Sequence, residues 1–176
     1  MTKPNPPVHA PMDQFPVVDN ELQIGGRPVT DIAEQVGRTP FYAYDGSVMA
    51  QKVQQLRDTL PPGLHLHYAM KANPMPEVVA HLAALTDGLD VASAGELRGA
   101  RATGTEPGMI SFAGPGKSDE DLREAVNAGV IINMESEGEM ARIAELARST
   151  GTRPPVAIRV NPDFELKAAG MKMGSG

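Results

Sequence analysis

His65-Leu66-His67-Tyr68-Ala69-Met70-Lys71-Ala72-Asn73-Pro74 is the stretch on which the reading of this chain turns. It has the pattern of a short strand that ends in a lysine and then bends sharply. Side chains alternate across a strand, so Lys71 would share a face with Ala69 and His67, and Leu66, Tyr68 and Met70 would take the other. A helical pattern, Pro76 to Leu85, follows, and then a new apolar stretch at Leu89. Strand, turn, helix and strand in that order is one β/α unit. Ligands of parallel α/β proteins bind at the carboxyl ends of the strands. Lys71 is therefore read as a reactive amine; the competing reading is a solvated surface charge.

The unit recurs down the chain. Apolar strand starts fall near Leu64, Leu89, Met109, Val130 and Val156, with helical patterns at Pro76–Leu85, Ala94–Thr103, Asp119–Ala128 and Gly138–Ser149 between them. The starts are 25, 20, 21 and 26 residues apart, the length of a compact β/α repeat. Gly88, Gly104, Gly129 and Gly151 stand where left-handed helix ends favour glycine. Such alternation requires a parallel sheet with right-handed crossovers. Pattern alone leaves two architectures, part of a (β/α)8 barrel or an open doubly wound sheet, and five strands favour the open sheet slightly. No sequence motif is expected to repeat.

Upstream, residues 1–16 are proline-rich (Pro4, Pro6, Pro7, Pro11, Pro16) and read as a mobile tail. Glu21–Ile24 before Gly25-Gly26 predicts a strand and turn, and Val29–Val36 a helix with Thr30 or Asp31 near its cap and Gly37 at its end. Phe41–Tyr44 predicts another strand. Ser47 is expected to cap a helix whose buried stripe is Val48, Met49, Val53, Leu56 and Leu60. Residues 163–176 read as a polar, glycine-bearing loop leading to no element, the pattern of a truncated chain.

Composition narrows the function classes. With 16 basic and 22 acidic residues, the net charge of −6 disfavours a general nucleic-acid binder. The 4% aromatic content supplies few stacking platforms for bases. Without cysteine there are no disulfides, zinc thiolates or cysteine nucleophiles. Neither a secretory signal nor a membrane span is visible, so a cytoplasmic protein is expected.

On parallel strands the carboxyl ends would collect Lys71, Ala72 and Asn73; Ser93 with Glu96; Ala113 to Lys117; Asn133, Glu135 and Ser136; and Arg159, Asn161 and Asp163. Asp90, inside a strand, needs a partner, with Lys71 or a ligand nitrogen as candidates. Arg159 would aim a planar donor fork at an anionic oxygen, or else pair structurally with Asp90. His65 and His67 resemble a metal pair without a third ligand, and no metal site is assigned. Gly114-Pro115-Gly116-Lys117-Ser118 is not a phosphate loop. Ser111 stands where that motif needs glycine, and Pro115 removes a backbone donor.

Four ordered motifs carry a resemblance: Tyr68-Ala69-Met70-Lys71-Ala72-Asn73, Asp90-Val91-Ala92-Ser93-Ala94-Gly95-Glu96-Leu97, Phe112-Ala113-Gly114-Pro115-Gly116-Lys117 and Arg159-Val160-Asn161-Pro162-Asp163. Together they resemble the fold type III pyridoxal-phosphate decarboxylases, which act on diaminopimelate, ornithine or arginine. The diaminopimelate branch is the nearest in pattern. Pro11–Pro16 and Glu165–Gly174 are similar to the exosortase A system-associated members. The resemblance implies an alanine-racemase-like TIM barrel of which residues 46–176 are the first five β/α units, with residues 17–45 a segment that joins a β-domain. It implies pyridoxal 5'-phosphate as cofactor, an amino acid as substrate, α-decarboxylation as the reaction and a homodimer as the assembly. Lys71 matches the lysine of the internal aldimine, with Ala69 beside it. Asp90 and Glu96 match acidic positions of the cofactor-side network, and Arg159 a barrel arginine near the cofactor's phenolic oxygen. Lys117 matches its motif but receives no role. Partial burial of Lys71, with Arg159 nearby, would favour the neutral amine. A non-catalytic relative and a racemase-like barrel are the alternatives.

Overall fold

The structure, a computed structural model, describes residues 12–160. The chain divides into two compact units, residues 1–60 and 61–176.

In the first unit, β1 (Val17–Val18), β2 (Glu21–Ile24) and β3 (Arg27–Pro28) form an antiparallel sheet. Both connections are two-residue hairpins, Asp19-Asn20 and Gly25-Gly26, and all four residues have positive φ. That is the geometry whose twist suits the flanking strands, and it explains why asparagine and glycine stand there. Helix α1 (Val29–Val36) ends as expected at Gly37, with φ of 73°. Its expected cap does not form: Pro28 precedes the helix, and neither Thr30 nor Asp31 caps it. Proline supplies the fixed φ of a helix start without a side-chain acceptor.

Two further expectations fail here. Phe41–Tyr44 is not a strand, because no ladder partner lies beside it among the described residues. The rings of Tyr42 and Tyr44 stack on each other instead. Helix α2 (Gly46–Thr59) is capped by Asp45, not by Ser47. Asp45 Oδ1 accepts from Ser47 N at 2.8 Å and Ser47 Oγ at 2.7 Å, while Oδ2 accepts from Gly25 N at 2.9 Å. One carboxylate thus fastens the second hairpin to the helix start. The Ser47 hydroxyl, with backbone N–H groups of Ser47, Val48 and Gly25, holds it below the usual carboxylate range. Of the expected stripe only Val53 is buried, and Leu56 is 40% exposed.

The second unit is a five-stranded parallel sheet of β4 (His67–Ala69), β5 (Gly88–Val91), β6 (Ile110–Phe112), β7 (Ile131–Met134) and β8 (Val156–Ile158). The crossover helices are α3 (Pro76–Ala83), α4 (Ala94–Ala102), α5 (Asp119–Ala128) and α6 (Glu137–Thr150). The strands lie in chain order, with no reversal. An open doubly wound sheet needs a reversal to place helices on both faces. Sequential strands with one crossover hand put every helix on one side, the winding of a barrel. The slight preference for an open sheet is therefore corrected.

Packing agrees. Leu89, Val91, Ile110, Phe112 and Ile132 point to the helix side, where Val79, Leu97, Ala100, Leu122, Ala125, Val126 and Ile143 complete one core. The other face is polar, with His67, Asp90, Ser111 and Asn133 in hydrogen-bond sequence. Gly129 and Gly151 end α5 and α6 with φ of 70° and 68°, as expected. Gly88 serves otherwise, as a strand residue with no positive φ. A Cβ there would lie 2.2 Å from Met109 O and 2.6 Å from the His67 ring, so the glycine admits a close approach of neighbouring strands.

The expectation of no repeated motif also fails. Ser93-Ala94-Gly95-Glu96 and Ser136-Glu137-Gly138-Glu139 make the same junction after β5 and after β7. In each, the serine hydroxyl accepts from the glutamate N–H at 3.2 Å. The glutamate carboxylate reaches back to a backbone N–H before the helix, Ala92 at 2.7 Å and Glu135 at 2.8 Å. Two orphan donors are satisfied reciprocally, as in a capping box. Helix α5 uses the standard form, Ser118 with Asp121, and Asp121 also accepts from Ala94 N at 2.7 Å.

Candidate active site

Lys71 does not extend the strand. It stands in the middle of a single 3-10 turn, Met70–Ala72, that leaves the carboxyl end of β4. The turn is braced on both sides. Met70 is buried in the core, and the Tyr68 hydroxyl donates to Asn73 O at 2.9 Å. Asn73 Oδ1 then accepts from Met75 N at 3.0 Å and leads into α3. The amine itself is exposed, and no hydrogen bond or ion pair engages it among the described residues. The expected partial burial is absent from the described structure.

Asp90 has its partners elsewhere than expected. Its Oδ1 accepts from Ser111 Oγ at 2.8 Å and lies 3.1 Å from His67 Nδ1. His67 thus faces a carboxylate, and Lys71 is not the cation that Asp90 meets. Among the described residues no group of three or more metal-ligating side chains gathers. Ala69 lies level with Asp90 across the β4–β5 ladder. Glu96 caps the turn before α4 through Ala92 N.

Arg159 follows β8 directly and aims at an anionic oxygen: its Nη1 donates to Glu135 Oε2 at 2.9 Å. The pair with Asp90 does not form. Lys71 and Arg159 belong to opposite edges of the sheet. Four interstrand steps separate those edges, roughly 19 Å along the sheet. The expectation that Arg159 acts on the Lys71 amine as a neighbour is corrected, because its contact is Glu135. Asn161 and Asp163 lie outside the described residues, as do the rest of 163–176, residues 1–11 of the expected tail and, of the exosortase-type segments, Pro11 and Glu165–Gly174.

Sequence reasoning missed Glu139 and left Lys117, a strand-end candidate, without a role. Both are 5% exposed, and they pair at 3.0 Å. The signal was available: Glu139 closes the second Ser-x-Gly-Glu motif, and Lys117 stands between two strand ends.

A parallel barrel sheet wound in chain order, with a primary amine at the carboxyl end of its first strand, defines a barrel that can hold a carbonyl cofactor through that amine. Residues 47–175 match the family described as "Pyridoxal-dependent decarboxylase, pyridoxal binding domain". The chain belongs to this family of pyridoxal-dependent decarboxylases. It is 37% identical over 150 residues to diaminopimelate decarboxylase of Aquifex aeolicus, covering 85% of this chain and 35% of that one. It is 40% identical over 141 residues to L-glutamyl-[BtrI acyl-carrier protein] decarboxylase of Niallia circulans, covering 77% and 32%. The crystal structure of diaminopimelate decarboxylase from Helicobacter pylori complexed with L-lysine superposes with a TM-score of 0.71 at 32% identity, covering 79% and 36%. The chain spans about a third of the length of these relatives.

The residues present fit pyridoxal phosphate. Lys71 offers an amine that no described side chain occupies, and Ala69 and Ala157 keep the polar face open at both edges of the sheet. Glu135 and Arg159 add a paired carboxylate and guanidinium.

Proposed function

We propose that the whole protein is a pyridoxal-phosphate-dependent amino-acid α-decarboxylase of the diaminopimelate type. The observation that carries the reading is Lys71, an amine with no partner among the described residues, on a braced turn within residues that match a pyridoxal-binding domain. The bound cofactor would supply an electron sink for the pair left on Cα when carbon dioxide departs. Lys71 would hold that cofactor through Nζ and, once displaced by the substrate amine, hold a proton near Cα. Ala69, Asp90, Glu96 and Arg159 would complete this chain's share of the cofactor site. His67 and Ser111 would fix the Asp90 carboxylate, and Glu135 the Arg159 guanidinium. Residues 17–45 would join a β-domain, and the protein would work as a cytoplasmic homodimer. Its Pro11–Pro16 and Glu165–Gly174 segments support the exosortase-associated branch.

The test is direct. Lys71→Ala in the gene's whole product should abolish both the visible absorbance of the lysine-linked cofactor and carbon dioxide release. An unchanged spectrum would remove Lys71 from this role. Diaminopimelate, ornithine, lysine and arginine form the substrate panel. A glutamyl group on an acyl carrier protein is a second candidate, favoured by the 40% identity to the Niallia circulans enzyme. Release from the carrier-bound substrate alone would select that reading. The elution mass of the product tests the dimer.

A further inference from the structure

Among the described residues of the second unit, Lys117 is the most deeply buried charged side chain, and the decarboxylase reading gives it no task. Its ammonium has three donors, and all three are used: Gly114 O at 2.8 Å, Asn133 O at 2.7 Å and Glu139 Oε1 at 3.0 Å. A saturated, buried amine can neither attack a carbonyl nor meet a substrate. A buried ion pair also brings little net stability over apolar side chains of the same size, because desolvation offsets the attraction. Its geometry indicates what it does instead.

The second oxygen of Glu139 continues the chain of contacts by accepting from Glu135 N at 2.8 Å. Glu135 Oε1 accepts from Gly114 N at 2.7 Å, and Oε2 holds Arg159 Nη1 at 2.9 Å. Gly114 is gripped from both ends, its carbonyl by Lys117 and its N–H by Glu135. Its φ of 131° lies where side chains are strained, so glycine is required there. With its backbone fixed by Glu139 and one oxygen fixed by Gly114, Glu135 presents its remaining oxygen in one position. Arg159 takes that position. Arg142 closes the buried end, Nη2 donating to Lys117 O at 2.8 Å and Nε to Asp119 Oδ1 at 2.7 Å.

We infer that Lys117 and Glu139 are positioning residues: the buried pair sets Glu135, and Glu135 sets the Arg159 guanidinium at the mouth of the sheet. The inference deepens the proposed function and rests on its placement of Arg159 at the cofactor.

The test is a coupling measurement on the gene's whole product, read by pyridoxal phosphate affinity from fluorescence titration. Lys117→Met/Glu139→Leu replaces the pair by apolar side chains, the exchange that buried pairs tolerate best. That variant and Arg159→Met should each weaken affinity about tenfold, within the usual coupling between contacting residues. The triple variant should bind no more weakly than Arg159→Met alone. Additive losses would overturn the inference, since a pair that only stabilised the fold would act independently of Arg159. If the double variant fails to fold, Glu135→Gln, which leaves the buried pair intact, is combined with Arg159→Met under the same criterion. If Arg159→Met leaves affinity unchanged, it is the cofactor placement of Arg159 that fails. The relay is then read from the Arg159 Nε–H resonance, identified by its loss in Arg159→Met. A shift in the pair variant, or in Glu135→Gln, supports the relay, and an unmoved resonance overturns it.

Discussion

Single residues of the second unit act through what their neighbours leave them. Lys71 is available because Met70 and Tyr68 carry the load of the turn around it, one by burial and the other by a hydrogen bond to Asn73 O. Its type and place were legible in the sequence. Its single-turn setting was not, since a three-residue 3-10 turn has no periodicity to read. Gly88 shows the reverse. Its position before a strand reads as a helix stop, yet its cause is the Met109 carbonyl just ahead of β6. Gly88→Ala would place a methyl group 2.2 Å from Met109 O, with the His67 ring at 2.6 Å. Backbone cannot rotate aside as a side chain can, so a loss of about 1–3 kcal/mol is expected. Urea denaturation should show a lower midpoint with an unchanged slope. A wild-type midpoint would mean that the β4–β5–β6 spacing can relax.

At the scale of elements, helix starts control the order of the unit. The type and position of α3 to α6 followed from apolar periodicity to within about two residues. The caps followed less well. Ser47 looks like a cap, but Asp45 lies two residues earlier with a second donor, Gly25 N, in reach. That donor comes from a hairpin 20 residues away, which local sequence does not announce. Phe41–Tyr44 failed for a related reason: a strand needs a partner, and pattern reports only the strand's own half.

Helix α5 offers the cleanest test. Ser118→Ala removes the acceptor for Asp121 N and should cost about 1 kcal/mol, seen as a lower thermal midpoint. Its partner Asp121 adds a pH signature. Partial burial pushes its pKa up, but the Ser118 hydroxyl, the N–H groups of Ser118 and Ala94 and the Arg98 charge together hold it below 3.8. A depressed carboxylate stabilises the fold fully above its unfolded value, and that share is lost as pH falls through the lower folded value. Thermal midpoints should therefore drop as pH descends below 3.8, and Asp121→Asn should flatten that part of the profile. An unaltered acid limb in Asp121→Asn would assign the effect to other carboxylates.

For the whole molecule, strand order decides where stability resides. The sheet's interior strands β5, β6 and β7 carry the fully buried Leu89, Ile110, Phe112 and Ile132. At the far edge, β8 leaves Ile158 74% exposed. In the 176-residue chain taken by itself, amide exchange should be slowest at β5 to β7 and fastest along β8, because local opening follows buried apolar contact. Equal protection across all five strands would contradict this gradient. The barrel winding itself needed both routes to be recognised. Alternation specified a parallel sheet, but order along the sheet depends on which way each helix returns, and side-chain pattern does not encode that directly. The polar face was legible only as separate residues. The hydrogen bonds that connect it, His67 to Asp90, Lys117 to Asn133 and Glu139, and Arg159 to Glu135, join residues 16 to 24 apart in sequence.

The two Ser-x-Gly-Glu junctions are interchangeable in one direction only. They differ at a single position, where Glu137 is exposed and Ala94 is 8% exposed with its N–H given to Asp121. Ser-Ala-Gly-Glu could be written at either site without burying a charge, whereas Ser-Glu-Gly-Glu at the first would press a carboxylate toward Asp121. The first version is a general-purpose joint and the second a specialised copy, whose closing glutamate has taken on a buried lysine as an added duty. A designer extending this sheet by further β/α units would draw on the first and leave the second where it stands.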